Sequence, residues 1–429
     1  MNPQLQAAFD QSLAGVPDWV AALRREGLDR YAEQAMPTQK MEHWKYVDLD
    51  FDLDDLAFAM EPGTPLPAGP YVDALGSVAA TATVVDGIVV GIDGELGAGA
   101  SIVSFRDATD ADAALLQETM GRHIDLGRDK FAAAHRAFAG DGVLIHVGRS
   151  TTLDGPILVD VQATSDAIAS FPHLTIVLAE NAEASVVVNY RSNDDLTHVA
   201  VPQVEAIVGD GSRLSLISLQ HWGRGTTAAV HEKVILGRDA TGTIGEVGVG
   251  GKLARLDLAI EHIGNGSSSE LIGLSFGDQT QTHDYRVIVR HEGKNTSSDV
   301  FLKGAVEDEA SSVFTGLLRI EEDATRTSAF ETNRNLVLSE SASAQSVPNL
   351  EILCNDVICG HGSTVGQLEE EHLYYLMSRG LPKDRAERVL VRGFFEEVID
   401  RLPVPEVADP VRAVVHDKFA TAQAEGRIG

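Results

Sequence analysis

Small residues flanked by acids, glycines or serines recur through the middle of this chain at a nearly fixed interval. They stand at Ala182, Gly211, Ala240, Gly266 and Gly293, with spacings of 29, 29, 26 and 27, and later turns at Ala310, Ala324 and Ala342 come about half as far apart. From about Val143, helical periodicity is absent for some two hundred residues. Short strand-like runs alternate with polar turns at 157–161, 174–178, 185–188, 204–208 and 214–219. A drifting period of this size in an all-strand region predicts a β-solenoid, in which coils of short strands stack with apolar residues inward and small residues at the corners. A β-sandwich with regular turn spacing is the competing arrangement, and the repeat by itself leaves both open.

The flanking regions have a different texture. Residues 1 to about 60 show helical spacing at Leu5, Phe9 and Leu13, and more loosely at Trp19, Leu23 and Leu28. Residues 62–70 have the composition of a linker, and Asp86-Gly87 is a hairpin turn between strands near 82–85 and 88–92. A helical segment is expected over 111–139. After Gly366 helices return, with Leu368, His372 and Leu376 on one face, Leu390, Phe394 and Val398 on another, Pro382 in the first turn of the second helix, and a third helix over 409–424.

Charge and motifs bound the function. The net charge of −30 disfavours a phosphate backbone as partner, so no nucleic acid is expected. Two cysteines in 429 residues do not make a disulfide scaffold. The first fifteen residues lack the apolar core of a signal peptide, and no apolar run approaches the roughly 18 to 20 residues of a membrane span. A cytoplasmic protein is the expectation, which leaves the sequons at Asn265 and Asn295 without meaning. There is no phosphate-binding Gly-x-x-x-x-Gly-Lys-Ser/Thr loop and no Gly-x-Ser-x-Gly elbow. Gly245, Gly248, Gly250 and Gly251 lie among strands, so they do not form a dinucleotide fingerprint. Glu369-x-x-His372 has di-iron spacing but lacks the second pair such a site needs. Thr282-His283-Asp284, His291 and Ser297-Ser298 form a polar row on a coil face, with no role assigned.

The segment 348–380 holds both cysteines, Cys354 and Cys359, with His361 two residues after Cys359. The strand is expected to end at Gly362. On an extended strand Cys359 and His361 share one face, and Cys354 faces the other. By spacing alone Cys-x-His is a weak ligand signal, since a metal site needs three or four donors. The ordinary alternative is a small buried cysteine beside a turn histidine.

This segment resembles the C-terminal signature of the SufD family, a subunit of the SUF iron–sulfur cluster scaffold. The matching residues are Pro348, Leu350-Glu351-Ile352, Asp356-Val357, Cys359-Gly360-His361-Gly362-Ser363-Thr364, Gly366, Leu368, Tyr375-Leu376 and Ser378-Arg379-Gly380. It departs from the signature at Asn355, Gly360 and Ser363, and carries Cys354 where alanine is common. Glu42-His43-Trp44-Lys45-Tyr46-Val47-Asp48-Leu49 resembles the signature near the start of SufD proteins, and the stretch 131–147 resembles the family's entry into its core, with His135 for the usual Asn.

The resemblance implies a mainly β protein: a right-handed parallel β-helix core over 141–365, an N-terminal helical and α/β region over 1–140, and a C-terminal helical region over 366–429 that docks an ATPase. It implies a non-catalytic scaffold subunit that pairs with a SufB-like paralogue and docks SufC, an ABC-type ATPase. A transient iron–sulfur cluster would be shared across that interface, with His361 as the candidate ligand and Cys359 beside it. The resemblance leaves open whether the isolated chain forms a homodimer and whether flavin enters at the level of the complex. The alternatives are a SufB-type paralogue and a β-helix enzyme acting on acidic polysaccharide.

Overall fold

The structure, a computed structural model, describes residues 3–424. It is a parallel β-solenoid of about 8 turns with helices at both chain ends, so the solenoid expectation holds and the sandwich does not. Each coil gives one strand to each of two walls. One wall is a 12-stranded sheet running through Gln203–Val208, Thr226–Leu236, Leu253–His262, Thr282–His291, Ser311–Ile320 and Ser343–Ile352. The other is a 10-stranded sheet running through Arg213–His221, Thr241–Gly248, Ser268–Gly277, Ser297–Val306, Thr327–Val337 and Val357–Gly366. Neighbours are parallel and in register, so Ser269, Ser298, Ala329 and Cys359 form one column.

Strand alternation sends every second side chain into the lumen. Leu256, Leu258, Ile260, Val287, Val289, Leu271 and Val300 fill it and are almost completely buried. The recurring small residues do sit at corners. Ala182, Ala240 and Ala310 are buried, and each follows within two residues of an Asn or Asp in the left-handed region (Asn181, Asp239 and Asp308, φ 56–58°). Asn and Asp tolerate this conformation better than other side chains, and alanine fits the tight corner behind it.

The N-terminal region completes the solenoid. Val143–Val147 is covered by the antiparallel strand Ala100–Ser104, and Ile157–Ala163 by the hairpin Ala80–Val85 and Ile88–Asp93. The predicted hairpin turn is present, with φ of 50° at Asp86 and 84° at Gly87. The expected helix over 111–139 is instead two helices, Asp110–Thr119 and Lys130–Phe138. A Thr109–Asp112 capping box starts the first, and the Asp129 side chain caps the second. The stretch 62–70 is no free linker: the Gly63 N–H donates to Asp86 (3.1 Å) and the Leu66 N–H to Gln162 (2.6 Å).

Helices cover the outer faces of the walls. Phe131 and Phe138 pack with Trp44, Phe58, Phe171 and Val201 on the 12-stranded wall. Lys383–Ile399 and Ala408–Ala424 lie on the 10-stranded wall, where Val391, Phe395 and Val398 meet Ile272, Leu274, Phe276 and Phe301. The buried stripe is thus offset from the expected Leu390–Phe394–Val398 face and shares only Val398 with it. Lys418 is buried and donates to Asp278 (2.6 Å) and Gln281 (2.7 Å), which pins the last helix to the solenoid. Burial lowers its pKa to about 8. The short helix Glu370–Ser378 buries no residue.

Candidate functional site

The solenoid ends on the strand Val357–Gly366, which continues past the expected stop at Gly362. It lies in register on Thr327–Val337, with Cys359 over Ala329, His361 over Glu331 and Ser363 over Asn333. Ala329 belongs to the luminal core, so this alternate set faces the lumen. Cys359 is half-buried and packs against that core, while His361 is exposed, with no further coil above it among the described residues. Cys359 and His361 therefore do share a face. Cys354 does not point the opposite way: it sits in the turn between Ile352 and Val357 and is buried in the same luminal core. A turn resets strand parity, so the odd separation carries no information about its direction.

Hydroxyls and amides tie the last coil to the one below. Ser363 donates to Ser346 (2.7 Å), Ser346 to Asn333 (2.8 Å), and the Asn335 amide to Asn333 (2.6 Å). Beneath His361 lies Glu331, 1% exposed, with no protein group in hydrogen-bonding reach of either carboxylate oxygen. Burial alone pushes its pKa up to about 8. Its carboxylate reaches the opposite wall at Gly316, where a Cβ would collide with it. Sequence reasoning missed Glu331. The available signal was parity: it alternates with Ala329, Asn333 and Asn335, which a luminal strand position demands. The end face also exposes apolar side chains: Ile358 (69%), Leu353 (50%) and Val365 (44%).

A buried pair of acids lies deeper in the lumen. Glu232 accepts from Ser218 (2.7 Å), and Glu246 sits directly beside it. Burial raises both pKa values, and the neighbouring Glu232 charge pushes Glu246 further up. These groups are fully enclosed and far from the end face along the coil order.

The other sequence candidates fall into structural roles. His291 stacks on His262 at 4.3 Å, and hydroxyls hold both nitrogens of each ring: Thr296 and Ser298 for His291, Ser267 and Ser269 for His262. Burial keeps His291 near pKa 4. His283 is buried with Nε2 on the Gly250 carbonyl (3.2 Å). Glu369, at the start of the helix Glu370–Ser378, lies 3.1 Å from His372 in its first turn; both are exposed, and among the described residues they join no group of three that could hold a metal ion. Gly248 makes room for the Tyr285 hydroxyl and Gly250 for the Trp222 backbone, so these glycines serve packing. Trp44 is buried, stacks on Phe131 (5.4 Å) and carries the Arg255 guanidinium over its ring at 3.8 Å. The His43 carbonyl accepts from both Arg255 and Arg286 (2.7 Å each). The Glu42–Leu49 signature is thus the clasp of the N-terminal layer on the solenoid. Among the described residues no three His, Cys, Asp or Glu side chains converge to hold a metal ion, so Cys359 and His361 are at most part of a ligand set.

The parallel solenoid thus ends on an uncovered strand that carries half-buried Cys359 and exposed His361 on its luminal face. The family model described as the SUF system FeS cluster assembly, SufBD core domain, matches residues 161–394. An iron–sulfur cluster assembly SufBD family protein of Mycobacterium tuberculosis is 34% identical over 304 residues, spanning 69% of this chain and 76% of that protein. The iron–sulfur cluster assembly protein SufD of Bacillus subtilis is 28% identical over 299 residues (69% and 68%), and that of Escherichia coli is 26% identical over 387 residues (88% of each). The chain belongs to the SufBD family of SUF iron–sulfur cluster assembly proteins, in which its relatives include SufD. No described helix is long and apolar enough to cross a membrane.

Proposed function

We propose that the chain is a SufD-type scaffold subunit, non-catalytic by itself, that pairs end to end with a SufB-like paralogue and builds an iron–sulfur cluster at that junction. The observation that carries this is Cys359 and His361 on the luminal face of the last, uncovered coil. A thiol and an imidazole suit iron, and two donors leave the rest of the shell to a partner. The terminal strands Ser343–Ile352 and Val357–Gly366 end the two sheets, so each offers a free edge to which another chain can add strands. The exposed Ile358, Leu353 and Val365 supply apolar contact around them.

Docking of an ABC-type ATPase falls to the C-terminal helices. Tyr374 (75% exposed) and Tyr375 stand out from Glu370–Ser378, and Val389 from the outer side of Lys383–Ile399. Coexpression of the chain with a SufB-like partner and the ATPase tests the site. The His361→Ala complex is expected to assemble normally and to lose iron–sulfur absorbance after reconstitution. Normal cluster yield in that complex refutes the site.

A further inference from the structure

We propose that Glu331 is the positioning residue for His361: its carboxylate accepts the imidazole's second N–H when the other ring nitrogen holds a metal ion. This rests on the end-face site just described and adds a residue to it. The geometry of the last two coils leads there. Glu331 lies in register directly under His361, on the same luminal column. Adjacent strands in a sheet are about 4.8 Å apart, so an imidazole turned toward the lumen brings a ring nitrogen within reach of a carboxylate one layer down.

The rest of that column is apolar. Leu216, Ile244, Leu271 and Val300 fill the same position in the coils below. A carboxylate in the coil next to the open end breaks the pattern. The opposite wall accommodates it, since Gly316 leaves the space that any Cβ would close. Buried polar groups are almost always hydrogen-bonded, yet neither Glu331 oxygen has a protein partner. Among the described residues, Asn333 and Asn335 in the same coil are already bonded, to each other and through Ser346, and Ser363 beside His361 bonds that serine. His361 is the remaining luminal group above Glu331 with an N–H to give. A metal-bound histidine commonly donates its second N–H to a carboxylate, which fixes ring orientation and raises ligand basicity.

Cobalt(II), titrated into the full-length chain, tests this through the thiolate-to-cobalt absorption band of Cys359 and the binding constant. The wild type is expected to bind, and His361→Ala to abolish binding. Glu331→Gln is expected to weaken it about 10- to 100-fold, and Glu331→Asp to recover part of the loss. Melting curves confirm that each variant is folded, because a merely structural carboxylate changes melting without changing the cobalt constant. Unchanged affinity in Glu331→Gln, or a wild type that binds no cobalt, overturns the positioning role. Cluster yield in the coexpressed His361→Ala complex decides the underlying site separately, so the two failures are distinguishable.

Discussion

Replacing Glu331 by glutamine in the isolated chain is expected to remove a pH dependence of stability. The folded carboxyl holds its proton up to about pH 8, against an ordinary value of 4.5. Between those values the folded state binds more protons than the unfolded chain, so raising the pH favours unfolding. Stability from this group is fully present below about pH 4.5 and declines as pH rises toward 8. Each unit of displacement corresponds to about 1.4 kcal/mol. Between pH 5 and pH 7.5 this amounts to about 3 kcal/mol. Local relaxation around a buried carboxyl reduces it, which brackets the effect at roughly 2 to 3 kcal/mol.

Thermal melting at pH 5 and pH 7.5, at one scan rate, reads this out. With about 2.1 cal/mol/K per residue, a chain of 429 residues unfolding as a unit converts that range into roughly 2 to 3 °C. The wild type is expected to lose that much more than Glu331→Gln between the two pH values. Glu232 and Glu246 act in the same direction in both proteins and cancel in the comparison. Parallel pH dependence of wild type and variant refutes the claim that Glu331 is buried without a partner.

Gly316→Ala is expected to cost about 1 to 3 kcal/mol by overpacking against Glu331, and to cost much less in a Glu331→Ala background; chemical denaturation of the four proteins of the cycle checks the coupling. Trp44→Ala removes a stacked, cation-capped anchor; it should cost about 3 to 5 kcal/mol and make the first sixty residues sensitive to limited proteolysis while the coils resist. Tyr374→Ser with Tyr375→Ser should leave melting unchanged, because neither ring is buried, and should abolish capture of the coexpressed ATPase in a pull-down.

Much of the fold was legible because a solenoid repeats its local rules. Each corner needs a left-handed residue and a small neighbour, and that need recurs in the sequence at Asn181-Ala182, Asp239-Ala240 and Asp308 to Ala310. The pairing of Cys359 with His361 was legible for a similar reason: parity within one strand is a local property. Cys354 was misplaced because a turn at 353–356 lies between the two cysteines, and parity does not survive a turn. The 111–139 stretch reads as one helix because its alanines and leucines hide the break. The Asp129 cap that restarts the helix acts through a side-chain bond that composition does not report. For Glu331, strand parity gives the luminal position but not the role. Its meaning depends on which residue lies above it and which lies across the lumen, and both are facts of register between strands far apart in sequence.

The two ends of the solenoid are treated differently by the chain. At the N-terminal end, antiparallel strands Ala100–Ser104 and Ile88–Asp93 close both walls, and the lumen beside them is aliphatic: Val143, Ile145, Ile157 and Val159. At the C-terminal end no strand follows among the described residues, and the luminal column changes from Leu271 and Val300 to Glu331 and then His361. An aliphatic last coil left open would lose transfer free energy at about 25 cal/mol per Å² of apolar surface exposed to water. Polar side chains reduce that loss, which explains His361 and Ser363 at the surface. They do not explain Glu331, which is already covered and would be better replaced by another valine if the end faced only water. A covered carboxyl in the penultimate coil makes sense when the end face is completed by something that supplies positive charge or a donor. The physical chemistry of this one column therefore supports the proposal that the open end is a junction with a partner and not merely where the coils stop.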